Sequence, residues 1–285
     1  MAPDVRVSGC TIVRSIAGYD YPIGESLRSL LPLVDELVVV APRGDPALDA
    51  ARAAGGARLR VVESDWSDGP AERGLTLSRQ TNIALEACRD GWVLNLQADE
   101  VLHEDDYAVI RAALARHDRA DAVDALSFRF LHFEGSCDYV NPLRYRRQCR
   151  LVRNDGRLES VRDAAGFGRR DGRPLRTRPS GARIFHYGWV GSPAALKAKT
   201  MALASLYHDP AFVARRWASV RPEAIGSADL AFRWTGGHPA VMRERMARRV
   251  GETGRERRRP LDTPWLNPRF YAAWLRKWRL LPRHV

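Results

Sequence analysis

A chain of 285 residues, 45% hydrophobic and 28% charged, has room for one large α/β domain with or without an appendage, in the balance typical of a soluble globular enzyme. No apolar run approaches the roughly 18 residues of a membrane-spanning helix, and the start MAPDVRV offers no signal-peptide core. The net charge of +12 is uneven: residues 241–285 hold thirteen Lys/Arg against four Asp/Glu, leaving only +3 for residues 1–240. Cys10, Cys88, Cys137 and Cys149 form no CxxC pair, which speaks against a zinc site or a disulfide framework and for reduced thiols in the cytoplasm.

The first hundred residues alternate strand and helix signals. Residues 5–13 are β-rich, and Ile23, Leu27, Leu30 and Leu31 share one face of a helix over 23–31. ELVVVA, 36–41, is the continuous apolar run of a strand buried on both sides. Asp45-Pro46 supplies an N-cap and a first-turn proline for a helix ending at Gly55-Gly56. A strand over 59–62, a polar loop over 64–74, a helix over 78–88 and a strand over 92–96 follow. Such alternation predicts a parallel sheet with helices on both faces. Beyond it come a helix over 104–117, a half-buried strand in which Leu126, Phe128 and Phe130 alternate with polar residues, strands over 147–152 and 182–185, and a helix over 193–208. A Gly/Arg-rich loop is expected over 155–180.

In open α/β sheets, ligands bind beyond the C-terminal ends of the strands. The fourth strand ends in Gln97-Ala98-Asp99-Glu100, which puts two carboxylates there. Asp99 has two readings, a helix N-cap or a ligand for the hard cation that bridges a diphosphate to protein.

The stretch SRQTNIALEACRDGWVLNLQADEVLHE, 78–104, resembles family 2 glycosyltransferases of the GT-A fold. VSGCTIVRSIAGYDYPIGESLRSLLPLVDELVVV near the N-terminus, IFHYGWVGSPAALKAK from Ile184 and WTGGHPAVM from Trp234 are similar to further blocks of that family. The resemblance implies a Rossmann-like GT-A domain over 1–240. It also implies transfer of a sugar from a nucleotide-diphosphate donor to a hydroxyl acceptor, inverting and assisted by Mn²⁺ or Mg²⁺, in surface glycan or other glycoconjugate synthesis. Carried over by position, Asp99 binds the metal and His186 completes its shell, with His238 a second candidate for that task. Glu100 touches metal or acceptor. Gln97 stands at the first DxD position, where it offers a hydrogen bond but no charge. Arg14, Arg79, Asn82, Gln97, Asp99 and Lys199 form the nucleotide-sugar contacts, and Lys197 is a further cation for the leaving diphosphate. Asp163, in RLVRNDGRLESVRDAAGF, takes the place of the general base. The family's uracil-binding aspartate has no counterpart after the second strand, where Asp45 reads as the helix cap.

The basic tail, 241–285, contains NPRFYAAWLRKWRLLPRH, which on a helix aligns Phe270, Trp274, Trp278 and Leu281 beside arginines. Such a stripe suits a helix lying in a membrane interface, peripheral on the inner face and near a lipid-linked or glycan acceptor; it equally suits docking onto the body. A nucleotide-binding oxidoreductase would need GxGxxG after the first strand, where Arg14-Ser15-Ile16-Ala17-Gly18 stands, and no Walker A motif occurs. The non-enzyme alternative, a nucleic-acid-binding protein using the basic tail, lacks any common binding motif, so no nucleic acid partner is expected.

Overall fold

The computed structural model describes residues 5–16, 19–66, 74–120, 122–221 and 230–250, and beyond these Pro268, Tyr271, Trp274 and Leu275. The aromatic stripe expected in the tail therefore lies mostly outside the described residues.

The first half is strictly alternating: β1 (Val7–Ile12), α1 (Ile23–Leu30), β2 (Glu36–Pro42), α2 (Ala47–Gly55), β3 (Leu59–Ser64), α3 (Leu75–Ala87) and β4 (Gly91–Asn95). All four strands run parallel, in the order β3–β2–β1–β4. Strand β2 shows why its run is apolar throughout. Leu37, Val39 and Ala41 pack with residues of α1, α2 and the later helix α4 (Tyr107–His117), while Val38 and Val40 meet Ala84 and Leu85 of α3. Side chains alternate across a strand, so covering both faces demands hydrophobic residues at every position. The fold is the expected α/β class, a mostly parallel sheet flanked by helices. The direction of chain growth reverses between β1 and β4, which opens a crevice at their C-terminal ends.

The second half extends the sheet. After β5 (Glu100–Leu102) and α4 come β6 (Ala125–Gly135), β7 (Tyr139–Val140), β8 (Arg147–Asn154), β9 (Leu158–Val161), β10 (Gly166–Arg169) and β11 (Thr177–Val190). The chain continues with α5 (Pro193–Ser205), α6 (Pro210–Ala218), β12 (Phe232–Arg233) and α7 (Arg243–Val250). Strand β8 lies antiparallel between β4 and β6, and β11 runs parallel to β6 and antiparallel to β5. β7 and β12 finish the edge.

One sequence expectation changes. Residues 155–180, expected as a loop, hold the β9–β10 hairpin and the start of β11. Their arginines are ordered by buried Asp124, which accepts from Arg169 at 3.1 Å and from Arg176 at 2.6 Å. Hydrogen bonds from Arg176 hold the Asp124 carboxyl well below the usual carboxylate range. Residues just after 240 also contact the body. Met242 is buried beside Phe133, Phe185 and Tyr187, and Arg245 of α7 reaches Glu25 at 3.1 Å and pairs with Asp20.

Among the described residues Glu100 and Arg150 form the most buried ion pair, 0% and 1% exposed, through two contacts of 2.7 Å. Removing one partner of such a pair costs about 3–5 kcal/mol, because the survivor is a buried uncompensated charge. Arg150→Met should therefore lower unfolding free energy by about that amount, and Glu100→Leu in the same chain should restore much of it. Urea denaturation of both variants checks this.

Candidate functional site

The turn after β4 is built to hold Asp99. Glu100 Oε2 accepts from the Gln97 amide at 3.1 Å, and the Glu100 amide donates to the Gln97 carbonyl at 3.0 Å. Ser26 Oγ of α1 donates to the same carbonyl at 3.2 Å. Glu100 spends both oxygens on Arg150, so the expectation that it touches metal or acceptor gives way to a buried structural pair. Its neighbour Asp99 faces the crevice side, where Lys199 Nζ donates to Asp99 Oδ2 at 2.9 Å. Burial opposes the charge on Asp99, but the Lys199 ammonium overrides it and holds the carboxyl well below the usual range.

His186 arrives through strand register. On β11 it lies opposite Glu100 of β5 on one side and His132 of β6 on the other. Its Nε2 sits 3.6 Å from Asp99 Oδ2, and its Nδ1 meets His132 Nδ1 at 3.1 Å. His132 Nε2 lies 2.8 Å from the Tyr145 carbonyl. A carbonyl only accepts, so His132 carries its proton on Nε2 and presents a bare Nδ1. His186 must then donate from Nδ1, which leaves the Nε2 lone pair aimed at the carboxylate. Burial pushes His186 down to about 3 and His132 down to about 4, keeping both rings neutral.

That arrangement suits a hard divalent cation. No group of three or more His, Cys, Asp or Glu suited to a metal occurs among the described residues. Mg²⁺-like ions, however, need only one or two protein donors when phosphate oxygens and water complete the shell. A neutral imidazole whose other nitrogen donates to a fixed partner is the form in which histidine ligates metals. Gly188 belongs to the same construction: a β-carbon there would lie 2.3 Å from Asp99 Oδ2.

Asp163 occupies the turn at 162–165 between β9 and β10. Arg162 and Ala164 flank it with φ of 59° and 56°, left-handed conformations that disfavour any β-carbon. The turn is docked from two sides. Gln97 Nε2 donates to the Ala164 carbonyl at 3.2 Å, and the Tyr207 hydroxyl donates to Asp163 Oδ2 at 2.7 Å. Gly74 makes room for that hydroxyl, since a β-carbon there would sit 2.6 Å from it.

The remaining expected residues have the following surroundings. Asn82 bonds the Ser160 backbone, accepting at 2.7 Å and donating at 3.3 Å, and so clamps α3 to β9. Lys197 donates to the Val220 carbonyl at 2.8 Å, and His238 meets the Tyr187 hydroxyl at 2.8 Å, so neither reaches Asp99. Asp45 precedes α2, whose N-cap is Pro46, and accepts from the Ala47 amide at 2.8 Å and from the Ser15 hydroxyl at 2.6 Å. Arg14 is exposed after β1 with its guanidinium 5.7 Å from the Trp66 ring centre, and Arg79 is exposed on α3. His132 and Tyr207 were missed. His132 was accessible by extending the alternation of Leu126, Phe128 and Phe130 by one step; nothing local marks Tyr207.

No family model matches the chain. A TPR repeat-containing protein of Synechococcus elongatus is 32% identical over 149 residues, 52% of this chain and 32% of that relative, so the chain spans about a third of its length. Among solved structures, Staphylococcus aureus TarS aligns over 76% of this chain and 73% of its own at 14% identity and TM-score 0.38. Glucosyl-3-phosphoglycerate synthase of Mycobacterium tuberculosis, in complex with Mn²⁺, UDP and glucosyl-3-phosphoglycerate, aligns over 46% of each chain at 18% identity and TM-score 0.32. A 4-diphosphocytidyl-2C-methyl-D-erythritol synthase covers 75% of this chain and 85% of its own at 14% identity and TM-score 0.34.

The buried histidines set a pH dependence. In the unfolded chain each takes a proton near pH 6.5, whereas folded His132 and His186 do so only near 4 and 3. Between those values the unfolded state binds more protons, so stability falls as pH drops below about 6.5, by up to roughly 1.4 kcal/mol per pH unit per histidine. Urea midpoints measured in EDTA at pH 7.5, 6.0 and 5.0 should fall steadily, and His132→Phe should flatten part of that slope.

Proposed function

We propose that the chain is a glycosyltransferase that moves a sugar from a nucleotide-diphosphate donor to a hydroxyl acceptor with inversion. The observation that supports this reading is Gln97, which opens the turn carrying Asp99 and donates to the Ala164 carbonyl beside Asp163, so the two carboxylates proposed for metal and proton sit on docked segments. Asp99 and His186 are the residues that would hold a divalent cation, which when bound neutralises the diphosphate. Gln97, with Arg14 and Arg79, which are both exposed, would supply the donor contacts.

Asp163 accepts the proton of the acceptor hydroxyl. As that oxygen forms its bond to the anomeric carbon, the bond from that carbon to the diphosphate oxygen breaks and the nucleoside diphosphate leaves with the electron pair. Tyr207 holds Oδ2 of Asp163 and leaves Oδ1 for the acceptor. Burial pushes the Tyr207 hydroxyl up, so it stays a donor throughout.

A thermal-shift panel of nucleotide sugars with Mn²⁺ tests the donor class, since ligand at 100 times its dissociation constant adds about 2.7 kcal/mol. With the donor found, Asp163→Asn should lower kcat by about 10² to 10⁴ and leave donor affinity unchanged. Retained turnover in that variant, or a product of retained anomeric configuration, removes Asp163 from this role.

The tail fits the same reading as a contact with an anionic membrane surface on the cytoplasmic face. Tyr271 and Trp274 are exposed, as interfacial aromatics must be, and no helix among the described residues is long and apolar enough to cross a membrane. Removing residues after Asp262 should abolish sedimentation with anionic liposomes while turnover of a soluble acceptor persists; sedimentation unchanged by the truncation rejects the membrane contact.

A further inference from the structure

Lys199 is held more tightly than a diphosphate-binding lysine needs to be. It is 4% exposed, and its ammonium donates to Asp99 Oδ2 at 2.9 Å and to the Gly188 carbonyl at 2.7 Å. Three aromatic rings surround it, with centres at 4.8 Å (Tyr19), 5.0 Å (Tyr21) and 5.5 Å (Trp189). Aromatic faces favour a cation, and the carboxylate offsets the desolvation that a buried ammonium suffers. Tyr19 is tied into the same corner by its own hydroxyl, which donates to the Gly188 carbonyl at 2.8 Å.

The oxygen that Lys199 holds is the one that His186 Nε2 faces at 3.6 Å. One carboxylate oxygen is thus claimed by an ammonium and by the pair of donors that suits a divalent cation. The two cations repel strongly at the spacing a shared oxygen imposes, and in a site that excludes water little screens them. Among the described residues no second carboxylate relieves the conflict, because Gln97 is neutral and Glu100 is committed to Arg150.

We propose that Lys199 is a built-in counter-cation: it holds Asp99 while no divalent cation is bound, and a nucleotide diphosphate draws the ammonium away as the divalent cation takes its place. The diphosphate half of this inference rests on the nucleotide-sugar reading above; the competition for Asp99 does not. Lysine suits the exchange, since its charge rides on a flexible four-carbon arm. By linkage, a nucleotide that removes Lys199 from Asp99 must raise metal affinity, and metal must raise nucleotide affinity by the same factor.

Mn²⁺ binding, followed by the loss of the free-ion electron paramagnetic resonance signal, tests both halves. Wild-type protein should bind Mn²⁺ weakly alone and more tightly with UDP, GDP or CDP. Lys199→Met should bind Mn²⁺ without nucleotide at least about 10-fold more tightly than wild type, because the competing charge is gone. Lys199→Arg, which keeps the charge, should stay weak. Adding Asp99→Asn to Lys199→Met should abolish the gain. Equal Mn²⁺ affinity of wild type and Lys199→Met, or a gain in Lys199→Arg as large as in Lys199→Met, overturns the proposal. If Lys199→Met gains affinity but no nucleoside diphosphate alters Mn²⁺ binding to wild type, the competition stands and the nucleotide reading fails. Should Lys199→Met fold poorly, its melting temperature is followed with and without Mn²⁺ beside that of Lys199→Gln. Stabilisation of either variant by Mn²⁺ that wild type does not show supports the proposal, and its absence in both rejects it.

Discussion

Where β4 ends, the chain turns over a carboxylate, Glu100, that is sealed from water and gripped on both oxygens by Arg150. Arg150 comes from β8, the strand that joins the parallel half of the sheet to the antiparallel half. The pair therefore fixes the turn at 97–100 to the seam of the sheet. It also sets the start of β5, whose pairing with β11 brings His186 level with Glu100. A buried ion pair is weak evidence for stability when compared with a hydrophobic replacement, but once present it penalises every arrangement that separates its partners. Here that penalty translates into position: Asp99 has one place to go.

Asp99 and Glu100, adjacent in sequence, end in opposite roles because their partners differ in freedom. Arg150 presents a planar fork to Glu100 from within a strand, a bidentate match with little reason to open. Lys199 presents a single ammonium from a helix flanking the crevice, and it faces a carboxylate that is also facing a neutral imidazole. The first pair is a fastener and the second an exchangeable contact. Neutral histidines in this setting follow from burial, and the one-way direction of their hydrogen bonds follows from the Tyr145 carbonyl at the far end of the chain.

The β9–β10 turn shows the same economy. Two left-handed residues that are not glycine flank Asp163, and such conformations persist only where surrounding contacts over-determine them. Those contacts come from Gln97 and Tyr207, and through Asn82, whose amide binds both backbone groups of Ser160 at the base of the hairpin. The segment that places Asp99 thus also helps to place Asp163, because Gln97 at its start donates to the carbonyl of the next residue, Ala164.

Local sequence determined most of the scaffold. The strands at Val7–Ile12, Glu36–Pro42, Leu59–Ser64 and Gly91–Asn95 announce themselves because a strand buried on both faces must be apolar throughout, and their helices because amphipathic spacing and caps act within a few residues. The carboxylate at the end of β4 was legible for the same reason, since strand ends in an α/β sheet are places where ligands meet backbone. What tertiary structure alone decided is every partnership across the sheet. Residues 155–180 looked like a loop because their arginines gain order only from Asp124, over thirty residues upstream in chain position. His132 meets His186 across 54 residues, Lys199 meets Asp99 across 100, and Tyr207 meets Asp163 across 44. No periodicity records such contacts, because each depends on the register between strands and on which helix face turns inward, quantities that exist only once the chain has closed on itself.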